Sequence, residues 1–318
     1  MKRSLMVKLG LLVPELFLMT LAAFFLVSLV PGDPVDHVIG LNSTPEQYEQ
    51  IKQAMGLDQP LLQRYWEWLI GALHGDFGQN LVPPVTNVTT RLLTALPNNL
   101  EVTILALLMS LIIAVPVGVL SAYWNGRRFD HYASATAFGV LSVPSFLAAV
   151  LLLLLFGITW KVFPLGQWVP ISSGDLGGNL YHAFLPALAL AFTQAPAFSQ
   201  LLRTDMIATL SEDYVLAARA KGMPTPHILL REALRPSSFG LLTLAGVSVG
   251  QLISGSFIVE GVFNLHGLGQ TIVGAVQQSD YPLVQGGVLL VGAGYIVLNF
   301  GVDMLYNVLD PRVRRRAV

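Results

Sequence analysis

Residues able to do chemistry are sparse in this sequence, and each familiar spacing fails on its surroundings. Gly246-Val247-Ser248-Val249-Gly250 has the G-x-S-x-G spacing that lifts a nucleophilic serine onto a sharp strand-to-helix turn. Here the five residues sit inside an apolar stretch, with no strand before them and no credible Asp and His after them. The same residues form G-x-x-x-G, a spacing that lets two helix backbones approach closely, and packing is the better account. Asp76-Phe77-Gly78 has the order of a kinase metal loop, but no catalytic loop or glycine-rich strand accompanies it. A phosphate-binding loop needs Lys followed by Ser or Thr. The lysines here are followed by Arg, Leu, Gln, Val and Gly, so any nucleotide site belongs to another polypeptide. Cysteine is absent and the six histidines never take a metal-ligand spacing, which leaves no candidate metal centre or catalytic residue. Asn42 and Asn87 stand in glycosylation-type triplets, which by themselves carry little weight.

The elements that would hold any site are membrane helices. The 318 residues are 53% hydrophobic and only 12% charged, with a mean hydropathy of +0.62. A soluble domain carries roughly 25% charged residues. Apolar runs near the ~20 residues that cross a bilayer are expected at Leu9–Val30, Asn99–Trp124, Ala133–Trp160, Ala183–Arg203, Ser237–Val259 and Val284–Tyr306. Six crossings put both ends on one side. Fourteen basic residues, from Lys2 to Arg316, then fall on that side and only Lys52, Arg64, Arg91 and Lys161 on the other, accounting for all 18. The positive-inside bias makes both termini cytoplasmic. Residues 1–30 read as a retained first helix, too long and lacking the small-residue site of a cleaved signal. Residues 31–97 form an external accessory loop with helix-like patches at Thr44–Met55 and Pro60–His74; residues 98–306 form a core of five further spans, and 307–318 a basic cytoplasmic tail.

The inner loop 204–235 is far too long merely to connect two spans. Ser211 is expected to cap a helix beginning Glu212-Asp213, with acids at the positive end of the dipole. Arg219 and Lys221 fall in its last turn, and Gly222 supplies the left-handed position that ends it. Thr225-Pro226 then opens a second helix that reaches Arg235 before Pro236 breaks it. Ala217, Ala218 and Ala220 keep the first helix thin. Two readings stand level on these grounds: a hairpin that docks a partner protein, and an amphipathic hairpin lying on lipid headgroups.

The stretch Asp213-Tyr214-Val215-Leu216-Ala217-Ala218-Arg219-Ala220-Lys221-Gly222 resembles the "EAA" coupling loop of binding-protein-dependent ABC permeases, in the dipeptide/oligopeptide/nickel family and its B-type subunit. The likeness extends along the chain through Pro31-Gly32-Asp33-Pro34, Gly75-Asp76-Phe77-Gly78, Ser142-Val143-Pro144-Ser145-Phe146, Glu260-Gly261-Val262-Phe263-Asn264, Asp280-Tyr281-Pro282 and Leu309-Asp310-Pro311-Arg312. Leu216 replaces the motif's glutamate, so no salt bridge is expected there. The resemblance implies an all-α type I importer permease, non-catalytic, in the bacterial cytoplasmic (inner) membrane. It implies a second, homologous permease subunit forming a heterodimer, one or two ATPase subunits that bind ATP and Mg, and an extracytoplasmic solute-binding protein, with no role for nucleic acid. The coupling residues would be Asp213, Tyr214, Ala217, Ala218, Arg219, Ala220, Lys221 and Gly222. Arg219 and Lys221 would pair with acids on the ATPase or anchor the loop at the inner surface.

Gln194, Gln251, Ser254, Ser256 and Asn299 are candidates to line the pathway, with interhelical hydrogen bonding as the competing role. Peptides lead as cargo; nickel or its chelates, glutathione and opines stay open. The alternative of another class is an ion-coupled secondary transporter. It would need ionisable groups deep in the membrane. Only Glu15, Glu101 and Asp303 approach that description, all near predicted span ends, and no inverted repeat is visible.

Overall fold

The computed structural model describes residues 2–28, 57–166 and 168–309, with isolated positions between 35 and 52. The Pro31–Pro34 motif and the tail beyond residue 309 lie outside the described residues. Of the expected Thr44–Met55 helix, the described part includes one helical amide bond, Tyr48 N–H to the Thr44 carbonyl at 3.0 Å.

The regular elements are helices: α1 (Lys2–Ser28), α2 (Leu61–Leu73), α3 (Val88–Tyr123), α4 (Arg128–Leu141), α5 (Ser145–Thr159), α6 (Leu176–Leu210), α7 (Asp213–Ala220), α8 (Thr225–Gly255), α9 (Phe257–Phe263), α10 (Leu268–Gln277) and α11 (Tyr281–Leu309). Among the described residues four are long and apolar enough to cross a membrane: α3, α6, α8 and the stretch Tyr281–Val302 of α11. In α1 the apolar stretch Gly10–Phe25 is shorter.

Two expectations change here. The single span expected over Ala133–Trp160 is two helices, α4 and α5, bent by 99° at residues 142–144. Pro144 disfavours helical geometry at Val143, and the Ser142 hydroxyl turns back to the Phe138 carbonyl at 2.9 Å. The pair counts as a fifth span only if the two halves are taken together. The second expected span, from Asn99, begins eleven residues earlier in α3, because Asn87 caps it. Its side chain accepts the Thr90 amide at 3.2 Å and its carbonyl the Arg91 amide at 3.1 Å. At about 1.5 Å per residue, the 36 residues of α3 overreach a ~30 Å hydrocarbon layer.

The chain divides into two compact units that do not follow chain order. The first holds residues 100–265 with the terminal segments 1–5 and 298–318. Its centre is α6, whose Phe198, Leu202 and Met206 are wholly buried and pack with Val119 and Ala122 of α3 and Leu241 and Ala245 of α8. A Cβ added at Gly118 would lie 2.9 Å from the Ser199 carbonyl, so α3 and α6 meet backbone to backbone. At Gly246 it would lie 2.5 Å from Val302 methyls of α11. That contact assigns G-x-x-x-G to packing, as the sequence indicated.

The second unit holds residues 6–99 and 266–297. Tyr65 of α2 is buried among Phe17, Phe24 and Phe25 of α1, and its hydroxyl meets Thr20 Oγ1 at 2.8 Å. Val88, Leu92 and Ala95 of α3 form a second cluster with Leu268, Ala275, Leu283 and Val284.

Candidate functional site

The first unit carries the hairpin that the sequence singled out. Helix α7 starts after Glu212, whose extended backbone (φ −70°, ψ 146°) sits at the N-cap without a side-chain cap bond. Ser211 does not cap it. Its hydroxyl donates back to the Ala208 carbonyl at 2.6 Å, closing α6 instead. At the other end Gly222 has φ +75°, its amide donates to the Arg219 carbonyl at 2.9 Å, and the Met223 amide donates to the Ala218 carbonyl at 3.2 Å. This pair of bonds is a Schellman closure, which consumes two carbonyls the helix end would otherwise leave open.

Which way α7 faces is set by Val215. Val215 is fully buried and Ala218, three residues on, is 6% exposed; both join the cluster of Leu210, Ile228, Leu229 and Ala233. Residues three apart share a helix face. Ala218, expected on a docking face, therefore turns inward, and Val215, not singled out from the sequence, is its neighbour. Asp213, Tyr214, Ala217, Arg219, Ala220 and Lys221 remain on the open side together with Leu216.

The second helix departs further from expectation. It does not break at Pro236: α8 runs unbroken from Thr225 to Gly255, with Pro224 at its N-cap. The strain is absorbed by a π-helical turn over Ile228–Ala233. Proline at 236 brings no amide for the Glu232 carbonyl four residues back. The Tyr214 hydroxyl of α7 donates to that carbonyl at 3.2 Å. Tyr214 thus ties α7 to the base of α8, a role its sequence position did not reveal.

Above the hairpin, Arg203 of α6 grips Asp130 in the first turn of α4, with Nε 2.5 Å and Nη2 2.7 Å from the carboxylate. The Gly126 amide donates to the same carboxylate at 2.9 Å, and Arg203 Nη2 reaches Asn125 Oδ1 at 3.2 Å. Asp130 is buried (3% exposed), so the fork-to-fork pair fixes the α3–α4 turn against α6.

The pathway candidates fall on α6, α8, the α8–α9 junction and α11 and differ in exposure. Gln251 and Ser254 are exposed one turn apart on α8, where the Ser254 hydroxyl donates to the Gly250 carbonyl at 3.0 Å. Gln194 is half-buried on α6. Ser256 is 2% exposed and donates to Glu260 Oε1 at 2.6 Å. Asn299 has a buried Oδ1 without a hydrogen-bond partner among the described residues. No group of three or more potential metal ligands occurs among the described residues.

Comparisons with known proteins agree with this architecture. Residues 114–315 match the family described as binding-protein-dependent transport system inner membrane component, and residues 1–83 match the N-terminal region of such membrane components. The dipeptide transport system permease protein DppB of Escherichia coli (strain K12) is 32% identical over 332 residues, covering 97% of this chain and 98% of the relative. The glutathione transport system permease protein GsiC of the same strain is 32% identical over 306 residues, covering 95% and 96%. Two inward-facing structures of the MetNI methionine ABC transporter share the fold, with TM-scores of 0.54 and 0.55 at 18% and 19% identity. Both cover 69% of this chain and 96% of the solved one. The chain belongs to the inner-membrane components of binding-protein-dependent transport systems, as an ABC permease of the dipeptide/oligopeptide family.

Proposed function

We propose that this chain is half of the pore of an importer for short peptides, crossing the cytoplasmic membrane six times with both termini inside. Separate ATPase subunits bind ATP and Mg and drive it through α7; a homologous permease completes the pore, and an extracytoplasmic binding protein delivers solute. The relatives named for dipeptide and glutathione transport support small peptides as cargo.

The observation that carries the reading is the two-faced build of α7. Its inner face is locked to α6 and α8 by Val215 and Ala218, and from the open side the Tyr214 hydroxyl reaches the Glu232 carbonyl of α8. Its open face offers the small residues Ala217 and Ala220, over which a partner backbone can approach closely. A displacement of α7 by ATPase closure then moves the lower ends of two membrane helices as one body. The competing headgroup-lying hairpin draws on Leu216 and Met223, exposed beside Arg219 and Lys221.

Ala217→Glu discriminates between them. Placed on the open face it should leave the amount of membrane-inserted protein near normal and lower peptide-stimulated ATP hydrolysis about tenfold, the effect of ~1.4 kcal/mol at an interface. Ala218→Glu buries a charge and should instead reduce the amount of folded protein. Full peptide-stimulated hydrolysis with Ala217→Glu would favour the headgroup-lying hairpin.

A further inference from the structure

The second unit contains a cavity of about 450 Å³ that the hairpin does not use. Its walls are the 82–86 turn, the first three turns of α3, His266, Thr271 of α10 and Gln278 just past the end of α10. We propose that it is an entry site for the carboxylate end of a small solute. The inference rests on the importer reading above, in which this end of α3 faces outward.

Charge makes the first argument. No Asp or Glu lines the cavity, and its one permanent cation is Arg91. Arg91 is exposed, and its guanidinium has no ion pair or hydrogen bond among the described residues. A guanidinium offers two parallel N–H donors that fit a carboxylate, and in a recessed site the pair gains over its value in open water. The polar neighbours divide into two sets. Thr94 and Asn98 are committed to the scaffold, donating to the Thr90 and His266 carbonyls at 2.8 and 3.0 Å. Thr90 Oγ1, the His266 ring and the Gln278 amide have no hydrogen bond among the described residues and are available to a ligand.

Rigidity makes the second. The 80–86 turn is built from inside by Asn80, which is 1% exposed. Its Nδ2 donates to the Val82 carbonyl at 2.5 Å, and its Oδ1 accepts the Thr86 amide and, at 3.2 Å, the Thr86 hydroxyl. Asp280, equally buried, accepts the Leu81 amide at 3.1 Å and pins the turn to the start of α11. A wall held in this way is in place before the ligand arrives, which removes an ordering cost from binding. The volume lies within the roughly 300–1,000 Å³ of small-molecule sites. Val82, Pro83, Pro84 and Ala95 supply an apolar side against which a short side chain can rest.

The test uses the full chain, co-expressed with its partner permease and held in lipid nanodiscs. Dialanine and dialanine amide are titrated and followed by saturation-transfer NMR. The expected result is about tenfold or greater preference for the free carboxylate, the scale of one charge-assisted bond. Arg91→Gln should abolish the preference while leaving amide binding unchanged, and Arg91→Lys should restore part of it. Thr94→Phe, which fills the cavity without touching the charge, should weaken both probes. Equal binding of the two probes, or a preference that survives Arg91→Gln, overturns the site. So does an Arg91→Gln effect confined to docking of the solute-binding protein, since the cation would then serve an acid on that protein. Uptake of labelled dialanine by cells separates the two readings. Chain-dependent uptake that is insensitive to Arg91→Gln and Thr94→Phe removes the cavity and leaves the importer reading standing. Failure of the intact chain to support uptake of any peptide removes both.

Discussion

At Gly222 the backbone φ is +75° and nothing lies within 4 Å of where a Cβ would sit. A substitution there meets dihedral strain alone, without collision. Gly222→Val should therefore cost about 1–2 kcal/mol in the turn and misdirect the start of α8. Spans whose backbone bonds are satisfied internally should stay inserted. Membrane abundance near normal, with reduced ATPase co-purification and uptake, is the expected outcome; Gly222→Asn, which tolerates the left-handed region, should be milder. Unchanged co-purification with Gly222→Val would mean that the turn does not set the hairpin. This residue was legible because a glycine after a helix with terminal cations has one ordinary use. Ser211 was misread because a serine hydroxyl between two helices can serve either, and it closes α6. Ala218 was misread for a related reason. The inward face of an eight-residue helix is chosen by distant residues such as Ile228 and Ala233, which local spacing does not show.

Helices α4 and α6 are joined by the Asp130–Arg203 pair, and the element scale is where its value can be measured. Removing one partner of a buried, doubly bonded pair leaves the other charge uncompensated, at about 3–5 kcal/mol. Arg203 keeps 22% of its side chain in solvent, which places the loss toward the lower end. Asp130→Leu should lower the thermal unfolding temperature of the purified protein clearly, and Asp130→Leu with Arg203→Leu should lower it less than the single change. Additive losses would show that the two side chains act independently. Arg203 was read from the sequence only as one more inner-side cation, because its partner lies 73 residues away. The bend at Pro144 and the continuity of α8 through Pro236 show the same boundary of sequence reading. From the sequence Pro236 read as a break, and Pro144 as a position inside one span. Pro144 does break its helix, whereas at Pro236 a π turn and the Tyr214 hydroxyl take up the missing amide. That compensation is tertiary, and only the structure reveals it.

For the molecule as a whole, the apolar runs and the order of family motifs made the all-helical class and the permease family readable from the sequence. The fourteen-to-four distribution of basic residues also makes a prediction about orientation. A reporter fused after Arg314 should read as cytoplasmic and one inserted within residues 59–78 as external. Both reporting the same compartment would contradict the odd number of spans expected between them and the inner position of α7.

The claim that α7 is where separate ATPase subunits grip this permease has a direct test, because the chain contains no cysteine. A single Ala217→Cys on the open face can be treated with a short thiol-to-amine cross-linker in membranes that carry the complete transporter. The account predicts a covalent adduct with an ATPase subunit, much weaker from the inward-facing Ala218→Cys, and loss of dipeptide uptake once the adduct forms. An Ala217→Cys chain that reacts with the linker yet yields only lipid or permease adducts, with uptake intact, would contradict it.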